Sequence, residues 1–229
     1  MPGKNQGRPG TIDKEETMDI LQQLADSLRS GDVKKTAETT QLAIGQGLEP
    51  RAILDEGFIA GMSIVGEQFK HHEIFLPEVL LAAKAMYAGM DLLKPLLIRD
   101  GVKTIGKVVI GTVQGDLHDI GKNLVAIMLK GAGFEVIDLG NDVSPQKFVE
   151  TAEKENADVI GMSALLTTTM PVMKKVVELA KERRLFGKTR IIVGGAPLSA
   201  EYAREIGADS YCFDGVSAVD CVKKFVKRT

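Results

Sequence analysis

Hydrophobic positions follow two rhythms along the chain. From Thr11 to about Arg99 they recur at helical spacing. Ile20, Leu21, Leu24 and Leu28 form one stripe, ended by Gly31-Asp32. Val33 to Leu48 reads as a second helix, closed by Gly45 and Gly47. Pro50 suits the start of a third, where its missing N–H is not needed. That helix carries Ile53, Leu54, Phe58, Ile59, Met62, Ile64, Val65 and Phe69. A fourth runs from about Leu76 to Leu97, with Pro77 in its first turn and Val79, Leu80, Ala83, Met86, Met90 and Leu93 facing inward. Four helices with short turns predict a small bundle.

After Arg99-Asp100-Gly101 the rhythm changes. Strand-length apolar runs at 107–113, 134–139, 159–163, 190–193 and 210–213 alternate with amphipathic segments at 120–131, 145–155, 171–184, 199–206 and 217–226. Five strands alternating with five helices predict a parallel sheet covered on both faces, of flavodoxin or Rossmann type. The runs are continuous and β-branched, as buried parallel strands are. The fold class expected is therefore α/β: an N-terminal four-helix domain over 11–98, a linker over 99–106 with few apolar anchors, and an α/β domain over 107–229. The Gly/Pro-rich first ten residues read as a disordered arm, not as a signal peptide.

Composition narrows the function classes. Of 229 residues, 44% are hydrophobic and 26% charged, with a formal net charge of -2, so nothing points to nucleic acid or an anionic membrane as partner. No apolar stretch reaches the roughly 18–20 residues of a membrane span. Cys212 and Cys221, nine apart, have no metal spacing and form no disulfide framework; they read as free thiols in a reducing cytoplasm.

In such sheets ligands bind beyond the carboxyl ends of the strands. After the first strand comes Q-G-D-L-H-D-I-G, Gln114 to Gly121, holding one of only three histidines. Asp116 could accept the proton on one ring nitrogen of His118 and leave the other free for a metal. Gly115 and Gly121 permit close approach of a bulky ligand. No second histidine or cysteine stands near, so a metal here must bring its other ligands, as a macrocycle does. A phosphate loop is disfavoured: Asn123 follows Lys122, and the glycine spacing is wrong. After the third strand, Ser163, Thr167, Thr168 and Thr169 cluster around Leu165 and Leu166; Thr169 also suits a helix cap before Pro171. After the fourth strand stand Gly194 and Gly195.

These motifs resemble the cobalamin-binding domain shared by methionine synthase, the cobalamin mutases and the corrinoid proteins of methyltransferase systems. The family pattern D-x-H-x-x-G is met by Asp116, His118 and Gly121, S-x-L by Ser163 and Leu165, and G-G by Gly194 and Gly195. The stretch F-L-P-E-V-L-L-A-A-K-A-M, Phe75 to Met86, resembles the helical cap of methionine synthase and its smaller relatives. The resemblance implies a cobalamin or related corrinoid, cycling between methylcobalamin and cob(I)alamin, with His118 as lower axial ligand to cobalt. It implies that Asp116 tunes the imidazole and that Thr169 takes the place of the relay serine. Gly115, Leu117 and Asp119 are implied as contacts to the macrocycle, Ser163 and Thr167 as lining for the nucleotide tail, Gly194 and Gly195 as room for it, and Phe75 as a shield for the methyl group.

The layout resembles the small corrinoid proteins that shuttle methyl groups, with neither the mutases' barrel nor a DNA-binding module. The implied role is a methyl-carrying subunit of a multi-component methyltransferase, not a complete enzyme alone. A substrate-specific methyltransferase would load it from methanol, a methylamine, betaine or a methoxylated aromatic. A second methyltransferase would pass the methyl to a thiol or tetrahydrofolate, and a reductive activation protein would serve the pair. The alternative is a cobalamin sensor or storage protein, which would prefer the adenosyl form and change oligomeric state in light. A response-regulator receiver is disfavoured because no acidic cluster and no strand-end lysine match. An FMN module is disfavoured because aromatics are 5% and tryptophan is absent.

Overall fold

The computed structural model describes residues 14–185 and 187–226. The expected arm over 1–10 lies outside the described residues. The chain forms two compact units. One holds the residues up to Val65 together with Ile74–Val102; the other holds Gly66–Glu73 and the chain from Lys103 onward.

The helical unit is built on the stripes read above. In α1 (Lys14–Arg29) the residues Ile20, Leu21, Leu24 and Leu28 are buried. Gly31, at φ +71°, turns the chain, and the Asp32 carboxylate caps α2 (Val33–Gly45) by accepting the Lys35 N–H at 2.9 Å. Helix α2 stops three residues short of Leu48. The Leu48 N–H bonds back to the Ala43 carbonyl, so Leu48 is buried from outside the helix. The third helix opens at Pro50 as α3 (Pro50–Ala52), widens to a π-helix over Ile53–Ile59, and continues as α4 (Ala60–Lys70). The Ala60 N–H reaches the Asp55 carbonyl, the five-residue span of a π-turn. Helix α5 (Leu76–Arg99) begins where the Glu78 carboxylate accepts the Phe75 N–H at 3.0 Å. Leu24, Leu28, Ile53, Phe58, Val79 and Leu93 fill the core.

The α/β unit alternates strictly: β1 (Lys107–Thr112), α6 (Ile120–Gly131), β2 (Glu135–Asp138), α7 (Pro145–Glu155), β3 (Val159–Ser163), α8 (Met170–Glu182), β4 (Arg190–Gly194), α9 (Ala200–Ile206), β5 (Ser210–Tyr211) and α10 (Gly215–Val226). The sheet is wholly parallel in the order β2-β1-β3-β4-β5. This is the flavodoxin-like order; the alternation predicted the parallel sheet and left the order open. Val109, Ile160 and Ile191 point to one core with Phe148, Met173 and Val177. Val108, Val159 and Ile192 point to the other with Leu129, Val216 and Val222. Strand β5 ends before Phe213, which is 80% exposed.

Two features position a site. The chain leaves β1 toward β2 on one side and returns to β3 on the other, so the loops after β1 and β3 part and leave a crevice. The register sets Thr112 beside Ser163, and Ser163 beside Gly194, so three strands end level. Loops after β3 and β4 then run very close. Gly195 sits at φ +133°, and a Cβ there would lie 1.9 Å from the Ala164 carbonyl oxygen. A Gly195→Ala variant combines backbone strain with overpacking and should lose about 3 kcal/mol of stability. Urea denaturation reads this directly; an unchanged midpoint would mean that the two loops separate easily.

Candidate functional site: a carboxylate-held histidine

The loop after β1 is fixed through its backbone. Val113 still bridges to Val143 of the loop after β2. Gly115 follows at φ +87°, and its N–H donates to the Asp142 carboxylate at 2.7 Å. The Asp142 N–H donates back to the Asp116 carbonyl at 3.1 Å. The buried Thr112 hydroxyl donates to the His118 carbonyl at 2.9 Å, and the Asn141 side chain donates to the Leu117 carbonyl at 3.3 Å. The chain therefore arrives at His118 already held on both sides.

Asp116 is fully buried at the crevice between the β1 and β3 ends. Its Oδ1 accepts the His118 N–H at 3.0 Å and stands 2.7 Å from His118 Nδ1. Its Oδ2 accepts the Leu165 and Leu166 N–H groups at 2.7 and 3.2 Å. Burial alone would raise its pKa. The bonds from the Leu165 and His118 amides, the His118 ring and the Leu166 amide outweigh burial and hold the carboxyl well below the usual carboxylate range. An ionised Asp116 can only accept, so Nδ1 carries a proton, and in the neutral ring the lone pair is on Nε2. The His118 side chain is 53% exposed, and among the described residues Nε2 makes no hydrogen bond.

Thr169 is buried at the start of α8 but does not cap it; no side-chain cap bond forms there. Its hydroxyl lies 2.8 Å from the Leu166 carbonyl and 3.1 Å from Asp116 Oδ2. A hydroxyl has one hydrogen, so those two acceptors compete for it. Thr169 thus stands behind Asp116 as a third, part-time partner.

Beside the histidine a cavity of about 750 Å³ opens along the sheet, between the starts of α6 and α10 and over β3 and β4. Leu117, His118, Asp119 and Gly121 line its mouth from the first loop. Ser163 and Leu165 line it from β3, and Gly194 and Gly195 from β4. Asp116 and Thr169 lie behind this surface, and Gly115 shapes the loop without lining it. Thr167 is exposed and is not among the lining residues. Phe75 lies at the start of α5 in the helical unit, 63% exposed. Lys122 is buried at the cavity wall, held by the Asp138 carboxylate at 2.6 and 2.7 Å and by Asn123, so its ammonium is already committed. Leu117, Ile120, Leu165, Leu166 and Phe213 are exposed large apolar side chains on these strand-end loops. Such a rim, with a pocket of this size and few polar groups, suits a large flat ligand with an apolar underside and a trailing arm.

Sequence reading missed Thr112, Asn141 and Asp142, which hold the loop. The polar run Gly140-Asn141-Asp142 directly after the second strand was the available signal.

Asp116→Ala would strip the acceptor from three amide N–H groups, two of them from the loop after β3. The expected cost is about 3 kcal/mol in urea unfolding. The pH dependence has a definite sign. The folded carboxyl binds its proton more weakly than the unfolded one, so its stabilisation is complete above the unfolded pKa and is lost as pH falls below about 4. Asp116→Ala should therefore flatten the acid limb of the stability curve; an unaltered limb would show that other carboxylates carry it.

Comparison with known proteins shows the family. A B12 binding domain family matches residues 106–220, and a second B12 binding domain family matches residues 20–94. The chain is 44% identical over 208 residues to trimethylamine corrinoid protein 2 of Methanosarcina acetivorans, covering 90% of this chain and 94% of that one. It is 45% identical over 210 residues to the dimethylamine corrinoid protein of Methanosarcina barkeri, covering 91% and 98%. The crystal structure of the methanol:cobalamin methyltransferase complex MtaBC from Methanosarcina barkeri includes a chain that matches with a TM-score of 0.83 and 28% identity, over 96% of this chain and 87% of that one. Among the described residues no helix is long and apolar enough to cross a membrane. The chain belongs to the B12-binding family as one of its corrinoid proteins.

Proposed function

We propose that this chain carries a methyl group on a corrinoid between two methyltransferases, with a methylated amine as the donor class. The observation that carries the reading is the Asp116–His118 pair, in which Nδ1 is taken by the carboxylate and Nε2 is left without a protein partner among the described residues, beside the 750 Å³ cavity. The names of the relatives, trimethylamine and dimethylamine corrinoid proteins, support the donor class. Bound, the corrinoid supplies a cobalt that can take up and give back a methyl group.

The residues divide the remaining work. His118 offers Nε2 to the metal, and Asp116 fixes its tautomer. Among the described residues no group of three or more His, Cys, Asp or Glu could hold a metal ion, which suits a metal that arrives in a macrocycle. Ser163, Gly194 and Gly195 receive the cofactor's tail in the cavity, and Leu117, Asp119 and Gly121 meet the ring. Phe75 is assigned on the family resemblance as the apolar shield of the reactive face; Thr167, which does not line the cavity, is given no contact to the tail. The partners are a substrate-specific methyltransferase, a second methyltransferase acting on a thiol or tetrahydrofolate, and a reductive activation protein.

The test is an absorption spectrum of the full chain after incubation with hydroxocobalamin. Wild type should bind one equivalent in a histidine-ligated form, and His118→Ala should lose that ligation. Asp116→Asn should lose most of it too. With its amide oxygen on the Leu165 and Leu166 N–H groups, its NH2 takes the place of Oδ1, so the His118 N–H loses its acceptor and Nδ1 must accept, which puts the ring proton on Nε2. A weakening of about 10–100-fold is expected from such a partner. Thr169→Ala should keep ligation. A His118→Ala spectrum equal to wild type would sink the ligand assignment. With ligation established, methyl transfer from trimethylamine and dimethylamine through an added amine methyltransferase decides the carrier role. No transfer, with light-dependent change of oligomeric state in the adenosyl form, would instead mean a sensor.

A further inference from the structure

Lys122 lies in the first turn of α6, four residues after His118, and its side chain is only 2% exposed. A lysine usually runs its ammonium out to water, because burying a charge is costly unless it is paired. Here both Asp138 carboxylate oxygens accept from it, at 2.6 and 2.7 Å, and the Asn123 side-chain oxygen accepts as well. Three N–H bonds meet three acceptors, so the ammonium has none left for a ligand even though the residue lines the cavity.

The ion pair joins two elements that border the histidine loop. Asp138 is the last residue of β2, and its Oδ1 also accepts the Gly140 N–H at 2.9 Å. Gly140 opens the short run that grips the loop. Its carbonyl accepts the Thr112 N–H at 3.0 Å, the Asn141 side chain reaches the Leu117 carbonyl, and the Asp142 carboxylate takes the Gly115 N–H. On the other side α6 begins directly after the loop, and Asp119 at its N-cap makes no side-chain cap bond. Lys122, not a cap, ties that first turn down. The contacts close a circuit: along the chain from Gly115 through His118 to Lys122, across to Asp138, and through residues 140–142 back to Gly115.

We propose that Lys122 is a positioning residue for His118. Through Asp138 it fixes the start of α6 against the run at residues 140–142, and so sets where the imidazole stands at the cavity mouth. It acts through the backbone on either side of His118, whereas Asp116 acts on the ring itself. The proposal rests on the corrinoid reading for what the imidazole binds; the circuit that places it belongs to the cofactor-free chain.

The test compares wild type, Lys122→Met and the double variant Lys122→Met/Asp138→Asn as full chains. The single variant leaves the Asp138 carboxylate without its cation and should unfold at lower urea. The double variant leaves neither charge alone, and the amide oxygen introduced at 138 can still accept the Gly140 N–H. Its urea midpoint should return toward wild type. The tie to α6 is nevertheless gone. Without cofactor, amide hydrogen exchange read by mass spectrometry should rise about tenfold over residues 114–119 in both variants, with β3 unchanged. With hydroxocobalamin, the concentration that half-saturates the histidine-ligated spectrum should rise about tenfold in both. A double variant with wild-type exchange, or with wild-type ligation, overturns the proposal and leaves Lys122 a stabilising ion pair alone. The double variant decides this even if the single one misfolds. If wild type itself shows no histidine ligation, the corrinoid reading fails, and the exchange measurement by itself decides whether Lys122 places the loop.

Discussion

One buried anion organises the functional end of this protein. Asp116 has no exposed surface, and burying a carboxylate is costly unless every lone pair is used. Here three backbone amides use them, two from the loop after β3 and one from His118, together with the His118 imidazole. The charge therefore joins the loops on either side of the switch point, where no ladder bond can reach. The amides need the anion as much as it needs them. Without it, two N–H groups at the exit of β3 would face the interior unpaired.

The anion can sit there only because the strands end level. Thr112, Ser163 and Gly194 share one row of the sheet, so the three loops start from the same height. Gly195 then brings the β4 exit against the Ala164 carbonyl, with no room for a side chain. The motif glycines thus serve two ends at once: they close the backbone around the crevice, and they leave the slot beside it open. A residue pair that reads as space for a ligand is also a packing requirement of the empty fold.

Much of this was legible in the sequence, for a physical reason. Buried parallel strands and amphipathic helices impose different periods, and the boundaries of α6, α7 and β3 follow from where one period yields to the other. The DxHxxG spacing was legible because a carboxylate two residues before a histidine in a short loop can reach its ring, as Asp116 does here. What escaped was set by partners distant in sequence. The π-helix over Ile53–Ile59 has the same apolar stripe as an α-helix, so periodicity cannot distinguish them. Asn141 and Asp142 act on carbonyl and amide groups of another loop, and Thr112 on a carbonyl of the loop that follows it; backbone targets leave no pattern in side-chain identity. Thr169 looked like a cap because caps and buried hydroxyl partners use the same residues; only the position of Asp116 separates the two roles.

The division of labour within the D-x-H unit has a further consequence. Asp116 is buried while His118 is half in solvent, and the loop is held through backbone atoms: the Thr112 hydroxyl on the His118 carbonyl, Asp116 on the His118 amide. The imidazole carries little of the fold. It is oriented by one hydrogen bond at Nδ1 and restrained by nothing at Nε2 among the described residues. On the reading proposed above, the ring would engage and release an incoming atom while the loop stays in place, because the groups that fix the loop are not the ring atoms that would bind: a fully used anion stands behind a lightly used ring.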